Sequence, residues 1–339
     1  MTFKSETIPS SRGAGQPLPT AVLSPPRRPR SIRRTVSVDM QRPDGLDGIV
    51  VLQGLGRDLY TAADATVTEL EAARFEMTLE INGRIRAAAS GARALGELVG
   101  ESSWTGFRGL LLRKGAADCQ PGTLLYQLLD DVPVAAMITG YMDARAGRRS
   151  VRRAATAPDW INVCAGWIEG GASHRRIAGG EAGFIIAGPV ATPLADGSDA
   201  YAWHAQPRLP DGAMRRRRRI DLRRSGTAIV VDSILRDVFI EPGDVETLVH
   251  EYAIETLVDA QTLRVTASSA RHGSLPTVDC PAGTASAARL AGLDCTDLRE
   301  AVRRGFRGPT TCTHLNDSLR ALADIAVLAR RLDDLENSA

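Results

Sequence analysis

The chain has 339 residues, 43% of them hydrophobic and only 4% aromatic, so its core must be built mostly from Ala, Leu, Val and Ile. That length accommodates two ordinary domains. Formal net charge is +2, which supplies no global field for nucleic acid or for an anionic membrane.

Five cysteines make an odd number, with no tight framework. They fit a reduced, cytoplasmic setting better than a secreted one. The most apolar segment, Ile177 to Ala195, holds Glu181, Pro189, Pro193 and several glycines, so it does not read as a membrane span. Residues 1–32 are rich in Pro, Ser and Arg and lack the apolar stretch of a secretory signal. They read as a disordered arm, with Arg27-Arg28-Pro29-Arg30 running on toward Arg33-Arg34.

Residues 33–145 begin with strands. Phe75, Met77, Leu79 and Ile81 alternate onto one face, and Asn82-Gly83 marks a tight turn. Residues 146–214 carry Trp160, Trp167, Trp203 and four prolines between 189 and 210. They read as a connector packed on its neighbours, with Ile161–Ile168 and Phe184–Ala187 as short strands. Residues 215–332 open with the basic run Arg215–Arg219, which reads as a solvated edge that discourages strand pairing. Nucleic-acid binding is disfavoured there because no aromatics interleave. Tyr252, Ile254, Thr256 and Val258 then share a strand face, and Leu263–Ser268 forms the return strand. Helices are expected over Pro281–Leu290, Thr296–Gly305 and Thr313–Leu332. In the last, Leu315, Leu319, Leu322, Ala326 and Ala329 make one apolar stripe. Residues 333–339 form a tail.

The chain also resembles itself. Val38-Asp39-Met40 matches Ile220-Asp221-Leu222, and Arg57-Asp58-Leu59-Tyr60 matches Arg236-Asp237-Val238-Phe239. Gly106-Phe107-Arg108-Gly109 recurs as Gly305-Phe306-Arg307-Gly308, and Cys119–Asp131 recurs as Cys312–Asp324. The expected architecture is therefore α+β: two homologous copies, each an antiparallel β-meander followed by covering helices.

Candidate site residues fall in the second copy. Cys280 sits before Pro281, which suits a first helical position, and Cys312 stands between the cap candidates Thr311 and Thr313. A helix N-terminus favours thiolate by about 1 kcal/mol. Each cysteine reads as a small buried hydrophobe, a metal ligand or a reactive thiol. His250 lies on the Tyr252 face, where Ala73 stands in the first copy, and His314 replaces Pro121. Cys280, Cys312 and His314 form a candidate metal set, and with His250 they give a count that zinc accepts. Residues two apart on a helix diverge, so Cys312 joins His314 only if it precedes the helix. Asn316, Asp317 and Asp324 on the last helix read as structural, as do both Gly-Phe-Arg-Gly segments.

The motifs Cys280-Pro281, Gly305-Phe306-Arg307-Gly308 and Cys312-Thr313-His314-Leu315-Asn316-Asp317 resemble the bacterial family known as domain of unknown function 2889, over most of 215–332. That resemblance implies no activity. More remotely, the order of strand pair, helix-opening cysteine and second helix-opening cysteine is similar to the NifU-type iron–sulfur scaffold proteins. There Cys280 and Cys312 would match two cluster ligands, while Pro242 and Thr311 replace the other two. With half the ligands missing, an iron–sulfur cluster is less expected than zinc.

Three function classes follow. The first is a small-molecule enzyme acting on an organic acid or acyl thioester through a thiol or zinc site, with Cys280 as nucleophile or ligand, Cys312 beside it, and His314 or His250 as base. The second is a metal or iron–sulfur carrier, and the third a non-catalytic interaction protein. A small-molecule ligand is open as partner, a membrane is not expected, and oligomeric state is not readable from sequence.

Overall fold

The computed structural model of the chain describes residues 24–91, 93–114, 119–148, 160–181, 183, 188–195 and 197–338. Its frame is one nine-stranded antiparallel sheet in the order β5-β4-β3-β2-β1-β6-β7-β8-β9. The strands are β1 (Ser31–Gln41), β2 (Val50–Thr61), β3 (Val67–Leu79), β4 (Ile85–Ser90) and β5 (Arg93–Ala94). After the connector come β6 (Met214–Ser225), β7 (Ala228–Glu241), β8 (Val245–Asp259) and β9 (Val265–His272). Two meanders thus meet along β1 and β6, where separate sheets were expected.

The two meanders match in register. Arg33 opposes Asp221 across the β1–β6 seam, and Arg215 opposes Asp39, as a two-fold axis would require. β-Bulges fall at Asp58/Leu59 in β2 and at Asp237/Val238 in β7, both matched segments of the sequence repeat. A second pair falls at Thr78/Leu79 and Leu257/Val258.

Helices cover one face. α1 (Phe107–Lys114), α2 (Leu124–Asp130), α3 (Val132–Ile138) and α4 (Gly140–Arg145) pack on the first meander. The 3-10 helix Cys280–Leu290, α6 (Leu298–Gly305), α7 (Thr313–Ala321) and α8 (Ile325–Asn337) pack on the second. A short helix, α5 (Ala172–Ala178), lies in the connector. The expected long final helix breaks into a 3-10 turn at Leu322–Asp324, yet its stripe of Leu315, Leu319, Leu322, Ala326 and Ala329 is buried throughout. α8 runs on to Asn337, into the residues expected to form a tail. On β3, Phe75, Met77 and Leu79 are buried, whereas Ile81 lies beyond the strand end and is 41% exposed.

The connector covers the opposite face. His204 hydrogen-bonds Thr35 Oγ1 and Ser37 Oγ on β1, and Trp203 packs beside Leu194, Ile234 and Ala253. Val190 bridges Thr247 at the end of β8. Ile161–Ile168 is not a strand: it turns through the 3-10 helix Ala165–Trp167, whose glycine lets the chain pass against Cys280. Phe184–Ala187 lies outside the described residues. Residues 1–23 of the expected arm lie outside the described residues, and its last residues are built into the fold. Ser31 and Ile32 already belong to β1, and Arg27 donates to Asp199 at 2.7 and 2.8 Å.

The largest departure is Arg215–Arg219. It forms no exposed edge; β6 lies inside the sheet between β1 and β7, and all five arginines are buried. Alternation sends Arg216 and Arg218 to the helices and Arg215, Arg217 and Arg219 to the connector side. Each meets carboxylates: Arg215 pairs with Asp39, Arg217 with Glu246, Arg218 with Asp131, and Arg219 with Asp221 and Asp232. A buried guanidinium persists only with such partners.

The Gly-Phe-Arg-Gly segments share a core phenylalanine but not a setting. The first opens α1, with φ of 81° at Gly106 and Arg108 reaching Asp130 and Asp317. The second ends α6, with φ of 81° at Gly308 and an exposed Arg307 donating to the Arg303 carbonyl. Asp131 and Asp324 share one role: each stands at a helix break and holds an arginine of the central strands, Arg216 and Arg218 for one, Arg34 for the other.

Candidate metal centre

The β7 bulge sets the geometry. It pairs Asp237 with His250 and Val238 with Leu248, leaving Val249 as the extra residue of β8. A bulge bends the strand and re-aims its side chains. By strand alternation Asp237 shares the helix-covered face with Leu235, and His250 with Tyr252, so the two project together toward the first turn of α7. Cys312 is the N-cap of α7, with extended backbone at φ −128° and ψ 129°, in place of either threonine. Two residues on, His314 drops onto the sheet, and its ring stacks on His250 at 3.6 Å between centroids. Glu71, not Ala73, is the first-meander counterpart of His250: it opposes Asp58 as His250 opposes Asp237.

Asp237, His250 and His314 each offer a ligand atom, all within 4.8 Å of one another, and no other such group occurs among the described residues. His250 Nδ1 lies 3.0 Å from Asp237 Oδ2, and His314 Nδ1 lies 3.9 Å from the same oxygen. Asp237 Oδ1 and His314 Nδ1 are buried with no hydrogen-bond partner. Leaving such atoms unpaired typically costs 1–3 kcal/mol each. Arg216 closes the inner side, with guanidinium nitrogens 3.5 Å from each of Asp131, Asp237 and Asp317.

Protonation suits ligation. Burial pushes the Asp237 carboxyl up, but Arg216 and the two histidines pull it down to about 2, so it is ionised at any working pH. Burial, with the neighbouring His250, holds His314 well below the usual imidazole range despite Asp237. It therefore stays neutral and keeps a lone pair for a metal.

The cysteines lie apart from this group. Burial, then the nearby Cys312, pushes the Cys280 thiol up to about 12, and burial also raises Cys312. The thiolate expected from a helix N-terminus is thus opposed: the segment at Cys280 is a buried 3-10 helix, and Cys280 hydrogen-bonds Thr277, not an imidazole. Asn316 donates to the Phe306 carbonyl, and Asp317 accepts from Arg108 at 2.7 Å. Asp237 carries no site motif in the sequence; its one signal is its place beside Arg236 in a matched segment. Two shallow grooves, about 420 and 350 Å³, are lined by Arg57, Arg74 and His204 and by Asp232, Glu255 and Ser269, away from the site.

Residues 214–328 match the family described as Protein of unknown function (DUF2889). The DUF2889 segment contains Asp237, His250, Cys280, Cys312 and His314; the first meander and connector lie outside it. No curated protein and no solved structure matches the chain. No helix among the described residues is long and apolar enough to cross a membrane.

Proposed function

We propose that the chain is a metal-dependent enzyme acting on a small organic acid or acyl thioester, with one divalent ion, zinc by preference, held by Asp237, His250 and His314. The observation that carries this reading is the pair of buried unpartnered atoms, Asp237 Oδ1 and His314 Nδ1, inside a two-histidine, one-carboxylate group. Three protein ligands leave a fourth position for water, and zinc brings the pKa of such a water to about 7. Of the two chemistries open from sequence, thiol and metal, the metal one has ionisation states in its favour. Asp237 orients His250 through its 3.0 Å contact, and Arg216 offsets the buried carboxylate charge.

The matching bulges and seam register support descent of the two meanders from one duplicated unit, with the site kept in the second. Five free cysteines accord with a reducing cytoplasm. A second, non-catalytic reading has one observation behind it: Arg216 stands 3.5 Å from Asp237, as in a purely structural charge network. The test is elemental analysis of full-length protein, followed by assay of zinc-loaded and chelator-treated samples on a panel of acyl thioesters and organic acids. Zinc-dependent turnover, lost in His314→Ala, supports the enzyme. Zinc without turnover leaves a metal-binding scaffold, and no bound metal with an inert panel leaves the structural network.

A further inference from the structure

The two ends of the sheet are finished differently. At the first-meander end, β4 is covered from Ile85 to Ser90. Ala89 and Ser90 pair with β5, the Ala88 carbonyl accepts from Leu95, and Ile85 exchanges hydrogen bonds with Glu101 and Gly100. At the other end, β9 is covered only where it begins. Val265 N–H donates to the Leu293 carbonyl, and the Val265 carbonyl accepts from Gly292. Beyond that point, among the described residues, no backbone group reaches Ser268, Ala270 or His272 from outside the sheet.

Those three residues direct their amides and carbonyls outward. Glu251 gives its N–H to Ser274 and takes one from Gly273, so the odd-numbered residues of β8 face β9. Ala253, Glu255 and Leu257 oppose Arg271, Ser269 and Ala267, which therefore bond inward. The residues between them bond outward, as an antiparallel ladder alternates. An unpaired row of this kind is a template for another strand. β9 carries no proline to block it and only one arginine, with small side chains over Ala267–Ala270.

We propose that β9 is an interface for a second copy of this chain, pairing antiparallel with its counterpart about a two-fold axis at Ala270 and joining the two sheets. The charges fit that occupant. In this register Arg271 stands opposite the partner's Ser269, which itself stands opposite the partner's Glu255. One serine separates the two long side chains, a gap that they span. Within one chain they meet at 3.4 Å and remain 64% and 63% exposed, so each keeps capacity for a second contact. By strand alternation both share the face of the groove of about 350 Å³ lined by Asp232, Glu255, Leu257 and Ser269. Leu257 in that groove is 42% exposed and offers apolar surface to the arginine stem. His272 meets the partner's Ser268, so no like charges oppose each other. This reciprocal match favours a second copy over a foreign peptide. The interface shares no residue with the Asp237, His250 and His314 group.

The experiment is sedimentation velocity of the full-length chain across a concentration series into the high micromolar range. A reversible dimer is expected. Arg271→Glu and Glu255→Arg should each weaken it at least tenfold, because each sets like charges across Ser269. An equimolar mixture of the two variants should restore it, because the mixed pair matches charges at both crossings. Both side chains are exposed, and unchanged circular dichroism should confirm that the variants fold. Wild-type protein gives a check free of substitution: amide exchange at Ser268, Ala270 and His272 should slow as concentration rises. The interface is overturned if the chain stays monomeric throughout, which leaves the edge to a foreign strand or to water. It is equally overturned if the mixture fails to restore the dimer, or if the slowed amides fall elsewhere.

Discussion

The same bulge holds two different charge arrangements in the two meanders. In the first, Asp58 opposes Glu71, Arg34 grips Asp58 through two hydrogen bonds of 2.8 and 2.7 Å, and Arg331 of α8 lies 3.5 Å from Asp58 and 3.1 Å from Glu71. In the second, His250 and His314 face Asp237, and Arg216 stands off at 3.5 Å. One carboxylate pair has a guanidinium filling the place of a cation. The other keeps an oxygen and an imidazole nitrogen without partners. The same backbone therefore makes a closed ion-pair cluster where an arginine hydrogen-bonds the carboxylate, and the proposed cation site where Arg216 stands off at 3.5 Å and two imidazoles face the carboxylate.

The sharpest way to break this comparison is to remove the central arginines. Arg34→Ala takes both hydrogen bonds from the fully buried Asp58, leaving it only Arg331 at 3.5 Å while Asp324 keeps Arg299 at 2.6 Å, and should cost about 3 kcal/mol in urea unfolding. Arg216→Ala should cost clearly less, because Asp131, Asp317 and Asp237 keep Arg218, Arg108 and His250. Equal losses would mean that the two sites are alike. Next in size is zinc itself. At 100-fold excess over Kd it should add about 2.7 kcal/mol of stability, absent in Asp237→Asn and retained in Glu71→Gln.

Acid should act on the neutral buried histidines. Burial, with Arg57, Arg215 and Arg217 nearby, pulls His204 down to about 4, and His314 is also depressed. The unfolded chain protonates both below about 6.5 while the folded chain does not. Stability should therefore fall as pH drops from 6.5 toward 4, by up to about 1.4 kcal/mol per pH unit for each histidine. Asp237 adds nothing in that window, since its contribution is lost only below about 3.8. Urea midpoints at pH 7, 5.5 and 4.5 check this, and His204→Gln should flatten the slope. The smallest effect belongs to Arg331→Met. Its ion pair is about one-third exposed on both sides, and its removal should cost under about 1 kcal/mol.

The sequence made the apolar periodicities legible. The α7–α8 stripe, the Phe75/Met77/Leu79 face and the Tyr252/Ile254/Val258 face all lie in the core, because spacing alone decides which side is buried. The convergence of His250 and His314 was legible as topology. What stayed hidden depends on partners remote in sequence. Five consecutive arginines look solvated until Asp39, Asp131 and Glu246 are placed beside them. Asp237 was one member of a repeat until α7 laid His314 against it. Gly166 sat in a segment expected to form a strand, and only the 3-10 turn there brings it against Cys280.

Zinc K-edge absorption on the zinc-loaded full-length chain tests the central claim most directly. Imidazole nitrogen and carboxylate oxygen at about 2.0–2.2 Å, with no sulfur, is the expected first shell, and His314→Ala should abolish stoichiometric uptake. A sulfur shell near 2.3 Å would place the metal on the cysteines and contradict the assignment to Asp237, His250 and His314.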